Sequence, residues 1–455
     1  MTEILKRSKA LCVNPLKASS TLGASLAFLG VARAMPMIHG SQGCTAFGKV
    51  FFVQHFQEPI ALQTSALDQI GTVMGSYDNL IEGLATICGK SSPELVGVPT
   101  SGLAEVQGFD VAMGVREFRG RHPEFDGIAV VPVSTPDFRG CLETGFADAA
   151  LATIRALVPD APGRAGERRR QVNVLVGSAL TPGDVEALKA TIEAFGLRPV
   201  AFPDVGDSLD GHLAPESHAA LTTGGTPVAE IRTLGLATAT IVVGASMAAA
   251  ADELRRRTGV PDVRFDHLCG LDATDALVTA LRDIAGVEVP ERIERQRARL
   301  LDAMLDTHFR LGFARVAVAA DPDLLAALAA LLTGCGAEVC AAVATVDAPV
   351  LARSGLATVK IGDLEDLERM ARQSGAELLL TNSHGVAVAE RLGIPVCRVG
   401  FPQFHWFGGF ARAWIGYDGA RQALFDLANL LAGRGEIPPY RSIYGQKSEP
   451  VGRRA

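Results

Sequence analysis

Short apolar runs alternate with longer amphipathic stretches along most of this chain. In QVNVLVGSALTPGDVEALKATIEAFGLRPVAF, residues 171–202, an apolar strand leads through a polar turn into a helix. That helix carries Val185, Leu188 and Ile192 on one face, and a second strand follows. The stretch ARVAVAADPDLLAALAALLTGCGAEVCAAV, residues 314–343, repeats the order around an Asp-Pro-Asp turn. Each predicts a βαβ crossover, and so parallel strands in a twisted sheet. Neither has the GxGxxG spacing of a dinucleotide site, so no NAD or FAD is assigned.

A second pair echoes in the same way. ELVGVPTSGLAEVQG (94–108) and ELLLTNSHGVAVAERLGIPVCRVG (377–400) both predict a strand, a Thr-Ser or Thr-Asn turn and a helix, and TATIVVGASMAAAADELRRRTGVPDVRF (238–265) adds a further strand–turn–helix–strand. Between these units, PDAPGRAGERRR (159–170) is Pro/Gly-rich, charged and without periodicity, which is linker chemistry. PERIERQRARLLDAMLDTHFRLG (290–312) reads as one long amphipathic helix with Ile293, Leu300, Met304 and Leu305 on one side. The predicted fold class is therefore α/β, with three Rossmann-like domains of mainly parallel sheets flanked by helices. They span 20–160, 165–290 and 312–435, with residues 291–311 as the connecting helix. Residues 1–19 and 436–455 are expected as a peripheral extension and tail, the charge-rich QKSEPVGRRA being disordered.

Composition narrows the classes. A chain of 455 residues is too long for one core. A net charge of −7 speaks against a nucleic-acid partner, which calls for a basic face. The most apolar stretches, 237–251 and 324–346, are too short or too interrupted to span a bilayer. The opening MTEILKRSKALCVNP lacks the apolar core of a secretory signal. A cytoplasmic location follows as the expectation, with the eight cysteines reduced. None has zinc-finger spacing.

Chemistry concentrates in HGSQGCTAFGK, residues 39–49, where Cys44 stands in a glycine-flanked turn. Gly40 and Gly43 free the backbone to approach another body, and their amides can donate to anionic sulfur. A thiolate there could ligate iron. Read alone, Cys44 is either an inert packed residue or one ligand of a site completed from elsewhere. Cys269 beside His267 is a weak metal signal, and Cys88, Cys335 and Cys340 read as core. Ser383-His384 stands at a strand end with no acid partner at triad spacing, so no catalytic residue is assigned.

A series of ordered motifs then gives context: VNPLKASSTLGASLAFLGV (13–31), MIHGSQGCTAFGKVFFVQHFQEPIALQTSAL (37–67), NLIEGLATI (79–87), ELVGVPTSGLAEVQG (94–108) and VSTPDFRG (133–140). Together they resemble the β-type subunits of the nitrogenase component 1 superfamily. LTTGGTPVAEIRTLG (221–235) and FARAWIGYDGARQALFDLANLL (410–431) extend the resemblance over most of the chain. In the catalytic β subunit, three cysteines in these motifs help to hold a P-cluster. Here Ser19 stands at the first position and Gly102 at the third, leaving Cys44 alone.

That pattern is similar to the branch whose β-like subunits form the scaffold on which the iron–molybdenum cofactor is matured. The resemblance implies an α2β2 heterotetramer with a NifE-like subunit. It also implies a [4Fe–4S] cluster shared at the interface, with Cys44 as this chain's single ligand and Gly43 beside it. Asp137 is implied near the cluster, as a neighbouring carboxylate or weak oxygen ligand, where the residues by themselves favour an Asp that caps the turn after Pro136; His39 reads as a hydrogen-bonding residue of the turn. A cofactor precursor held mainly by the partner, transient docking of the nitrogenase iron protein, and NifB or a carrier as donor complete the expectation. The role would be scaffolding and electron transfer. The alternatives are a catalytic β-type subunit of a nitrogenase-like reductase and an iron-free α/β ligand-binding module. A vanadium-system relative would read nearly the same.

Overall fold

The computed structural model describes residues 2–7, 12–67, 77–213 and 220–433; the expected tail at 436–455 lies outside them. Three sheets account for the described strands, and every pairing between the strands is parallel. The first sheet has the order β3 (Gln63–Thr64), β2 (Ala34–Ile38), β4 (Leu95–Pro99), β5 (Ala129–Val133). The second is β7 (Arg198–Phe202), β6 (Arg168–Val176), β8 (Ala237–Val243), β9 (Asp262–Phe265). The third has six strands: β1 (Glu3–Leu5), β12 (Thr358–Ile361), β11 (Glu338–Ala344), β10 (Arg315–Ala320), β13 (Leu378–Thr381) and β14 (Val396–Arg398). The five units read from the hydrophobic pattern all appear as strand–helix segments of these sheets. Their strands are apolar runs because helices cover both faces; β4 is buried at every residue.

Three sequence expectations are corrected here. Residues 3–5, placed in a peripheral extension, form β1 at the edge of the third sheet, with Glu3 in register with Thr358. Leu16 is likewise buried in the core on one face of that sheet. The unpaired backbone groups along β12 and the apolar surface beside it give this segment a better place than solvent. The helix Glu291–Leu311 forms as expected and buries Ile293 and Leu300, but Leu305 is 70% exposed. At 3.6 residues per turn, five positions past Leu300 is roughly 140° around the helix, off the buried face. The expected linker is also shorter than 159–170, because Arg168–Arg170 already belong to β6.

Helix α1 (Ser20–Leu29) sets up the site. Ser19 caps it, its Oγ accepting from the Leu22 N–H at 3.3 Å. It lies against the helix Leu142–Leu157 with backbones in contact: a Cβ on Gly23 would stand 1.8 Å from Leu142 O, and one on Gly145 1.8 Å from Ser20 O. This crossing fixes the start of α1.

The three sheets meet on polar ground. The Asp323 N–H donates to Glu143 Oε2 at 2.8 Å, while the N–H and hydroxyl of Ser246 donate to Asp323 Oδ2 at 3.0 and 2.6 Å. Glu143 belongs to a helix of the first sheet's layer, Ser246 follows β8, and Asp323 follows β10. Burial lifts the Asp323 carboxyl to about 6 and raises Glu143 as well. Among the described residues, no helix is long and apolar enough to cross a membrane.

Candidate functional site

Cys44 lies in the first turn of helix α2 (Gln42–Phe56), not in the bare turn read from the sequence. The polar residues around it gave no hydrophobic period to follow, so the helix start was illegible there. Ser41 is the N-cap, and its hydroxyl donates to Cys44 Sγ at 3.4 Å instead of capping the backbone. Thr45, Gly48, Phe52 and Phe56 face inward on α2, while Cys44 and Phe47 are exposed. The first turn of a helix favours negative charge, which suits a sulfur that acts as thiolate.

The two flanking glycines have different reasons. A Cβ on Gly40 would meet Ser101 Oγ at 2.5 Å, so the close approach it permits is to the chain itself. A Cβ on Gly43 would meet nothing within 4 Å, so that face is open.

Cys44 borders a mainly apolar cleft of about 400 Å³ between the start of α1, α2 and the third sheet's layer. Ser19, Lys17, Asp137, Phe51 and His384 share its lining. The Asp137 carboxylate has an N–H donor at one oxygen and a hydroxyl, shared with the Thr100 and Thr135 carbonyls, near the other. Gly102 N–H donates to Oδ2 at 3.1 Å, and the Thr21 hydroxyl stands 3.1 Å from Oδ1 and 2.9 Å from the Thr100 carbonyl. Lys17 Nζ donates to the Asp137 backbone oxygen at 3.3 Å. The cleft thus brings together Cys44, Ser19 and Asp137, with Gly102 behind the carboxylate.

His39 serves as the expected hydrogen-bonding residue and does not line the cleft. It is fully buried, with Nδ1 2.9 Å from Ser65 Oγ and its ring 4.0 Å from that of Phe109. Burial lowers it to about 4, so the ring is neutral at pH 7. His384, given no role from the sequence, does reach the cleft. Its ring sits 6.0 Å from Phe51 and 5.3 Å from Phe404, and burial lowers its pKa. Only the packing of the third layer against α2 places it there, and no local motif signals that contact.

The other cysteines do not join this group. Cys269 and Cys335 border a separate cavity of about 370 Å³ with His267, and burial pushes both thiols up. Cys88 is raised to about 11 by burial. Among the described residues, no three His, Cys, Asp or Glu side chains gather as a metal-binding set. The donor chemistry at the cleft is therefore one accessible thiol. It fits a share in an iron–sulfur site and cannot complete one alone. Large apolar side chains are exposed on the elements that carry the cleft: Phe47 at 72%, Val106 at 78% and Phe138 at 63%.

The fold and this cleft define a known class. The family model for nitrogenase component 1 type oxidoreductases matches residues 19–432. A solved structure titled nitrogenase Cp1 at pH 6.5 superposes with a TM-score of 0.88 and 27% identity, covering 96% of this chain and 98% of that one. Among individual proteins, the chain is 45% identical to the nitrogenase iron-molybdenum cofactor biosynthesis protein NifN of Mesorhizobium japonicum, over 96% of this chain and 95% of the relative. It is 43% identical to NifN of Bradyrhizobium diazoefficiens, over 95% and 92%, and 41% identical to NifN of Klebsiella pneumoniae, over 99% and 97%. The chain belongs to the nitrogenase component 1 family and, within it, to NifN.

Proposed function

We propose that this chain is the NifN-type subunit of a scaffold for iron–molybdenum cofactor biosynthesis, paired with a NifE-like subunit in an α2β2 heterotetramer. Cys44 supplies this chain's one ligand to a [4Fe–4S] cluster shared across the interface, and Gly43 leaves room for the partner beside it. Bound there, the cluster supplies one-electron transfer. The chain's own residues shape the cleft and present its apolar wall to the partner that covers it. The precursor of the cofactor is held mainly by the partner, and the nitrogenase iron protein docks transiently, with NifB or a carrier as precursor donor.

One observation carries this reading: a solitary accessible thiol borders an apolar cleft whose elements expose Phe47, Val106 and Phe138. A cluster needs thiolates that this chain does not gather, and uncovered aromatic and aliphatic side chains around a cleft are interface chemistry. The test is anaerobic co-purification of the chain with its NifE-like partner, followed by iron counting and EPR. Wild type is expected to hold the cluster. A Cys44→Ala complex is expected to assemble and to lose or alter the signal. A full wild-type signal in Cys44→Ala would sink the ligand assignment, and iron-free wild type would favour a plain binding module.

A further inference from the structure

We propose that Asp137 is a positioning residue that sets the reduction potential of the group held at Cys44; this rests on the cluster reading above. The carboxylate shares the cleft with Cys44 and is exposed on the same face. Its orientation is set by the chain itself. Gly102 N–H holds Oδ2 at 3.1 Å, and the Thr21 hydroxyl stands 3.1 Å from Oδ1. Gly102 is also the residue that makes room, since a Cβ there would come within 3.0 Å of Oδ2. Thr21 lies in α1, whose start is fixed by the crossing at Gly23 and Gly145. The anion is thus anchored to a rigid element, where a free surface carboxylate would swing into solvent.

A fixed negative charge beside a redox centre disfavours the added electron and lowers its potential. Covering the cleft with a partner lowers the local dielectric and strengthens that effect. Lys17 occupies the same wall, with Nζ on the Asp137 carbonyl oxygen at 3.3 Å. Its charge acts in the opposite sense. The pair gives the site a sign test: removing the anion raises the potential, and removing the cation lowers it.

The experiment is a redox titration, followed by EPR, of the assembled complex as wild type, Asp137→Asn and Lys17→Gln, with iron counted in each. Asparagine keeps the shape and an oxygen acceptor but loses the charge. At the wild-type midpoint, the ratio of reduced to oxidised cluster is expected to rise roughly tenfold in Asp137→Asn, the size of a unit-charge effect across such a cleft at an effective dielectric near 20. In Lys17→Gln the ratio is expected to fall. Lys17 is exposed, so that variant stays informative if Asp137→Asn does not assemble. Unchanged potentials with full iron would reduce Asp137 to a loop tie and overturn the proposal. Loss of iron from an assembled Asp137→Asn complex would overturn it in favour of direct ligation. Iron-free wild type would instead refute the cluster reading on which it rests.

Discussion

Gly102 and Asp137 occupy each other's space: the glycine N–H donates to Oδ2 at 3.1 Å, and a Cβ on the glycine would stand 3.0 Å from that oxygen. Gly102→Ala is therefore expected to push the carboxylate aside by a few tenths of an ångström and weaken the bond. The loss is about 1 kcal/mol, because a charged acceptor's hydrogen bond outweighs the small helix-propensity gain at a first-turn residue. Urea unfolding of the single and double variants checks this. Once Asp137→Ala is present, Gly102→Ala should no longer cost stability and should show only the small propensity gain.

The crossing of α1 with Leu142–Leu157 tolerates no side chain at its centre. Gly23→Ala and Gly145→Ala each place a methyl 1.8 Å from a backbone oxygen, which neither helix can yield without separating. Each should cost about 3 kcal/mol or more, the upper range for overpacking. A lowered melting temperature or loss of soluble protein is the expected readout, and a wild-type melt would count against the close packing.

The carboxyl junction makes stability depend on pH in a defined direction. Asp323 is 1% exposed, and burial raises it from an ordinary 3.8 to about 6. A raised acid is fully favourable only below its unfolded value, and stability is lost as pH climbs through the folded one. Asp323→Asn keeps the oxygen that Ser246 addresses and puts its amide at Oδ1, which has no partner among the described residues. Its advantage over wild type is expected to grow from pH 4 to pH 6 and level off at about 2 to 3 kcal/mol. His55, held neutral by burial at about 3 and accepting from the Gln403 N–H, works the other way. Its contribution is present above 6.5 and fades as pH falls toward 3. The difference between variant and wild type cancels it, so melting curves of both across that range report on Asp323 together with the Glu143 carboxyl it faces.

Cys44 contributes little to the fold by itself. It is exposed, and its side chain accepts only a weak contact from Ser41. Cys44→Ala should change the stability of the separate chain by less than about 0.5 kcal/mol. In that chain a maleimide should modify Cys12 and Cys44 quickly, since the other six thiols are buried or partly so. Pairing with the NifE-like subunit should protect Cys44, and mass spectrometry of the labelled peptides would reveal continued labelling if it does not.

Much of the architecture was legible because buried parallel strands and their helices carry strong, local hydrophobic patterns. Val185, Leu188 and Ile192 announced their helix and are all buried. The long helix announced itself too, but Leu305 was assigned to the wrong side because a near-repeat of apolar residues does not fix the rotation. The site was harder. Cys44, Ser19, Gly102 and Asp137 could be nominated from motif context, yet nothing in the sequence indicated that Asp137 is tied to Gly102 and Thr21. His384 escaped because its place beside Phe51 depends on two layers of the fold meeting, and non-local packing leaves no mark on neighbouring residues.

The pairing of β1 with β12 has a consequence for how the molecule is made. Glu3 leaves the ribosome long before Thr358, the residue it must stand beside. The third sheet therefore does not form in the order of synthesis: its edge strand β1 is translated before either of the other two sheets and waits for β12. β1 stays unclaimed until β12 has emerged, and completion of the third layer joins an early segment of the chain to a late one.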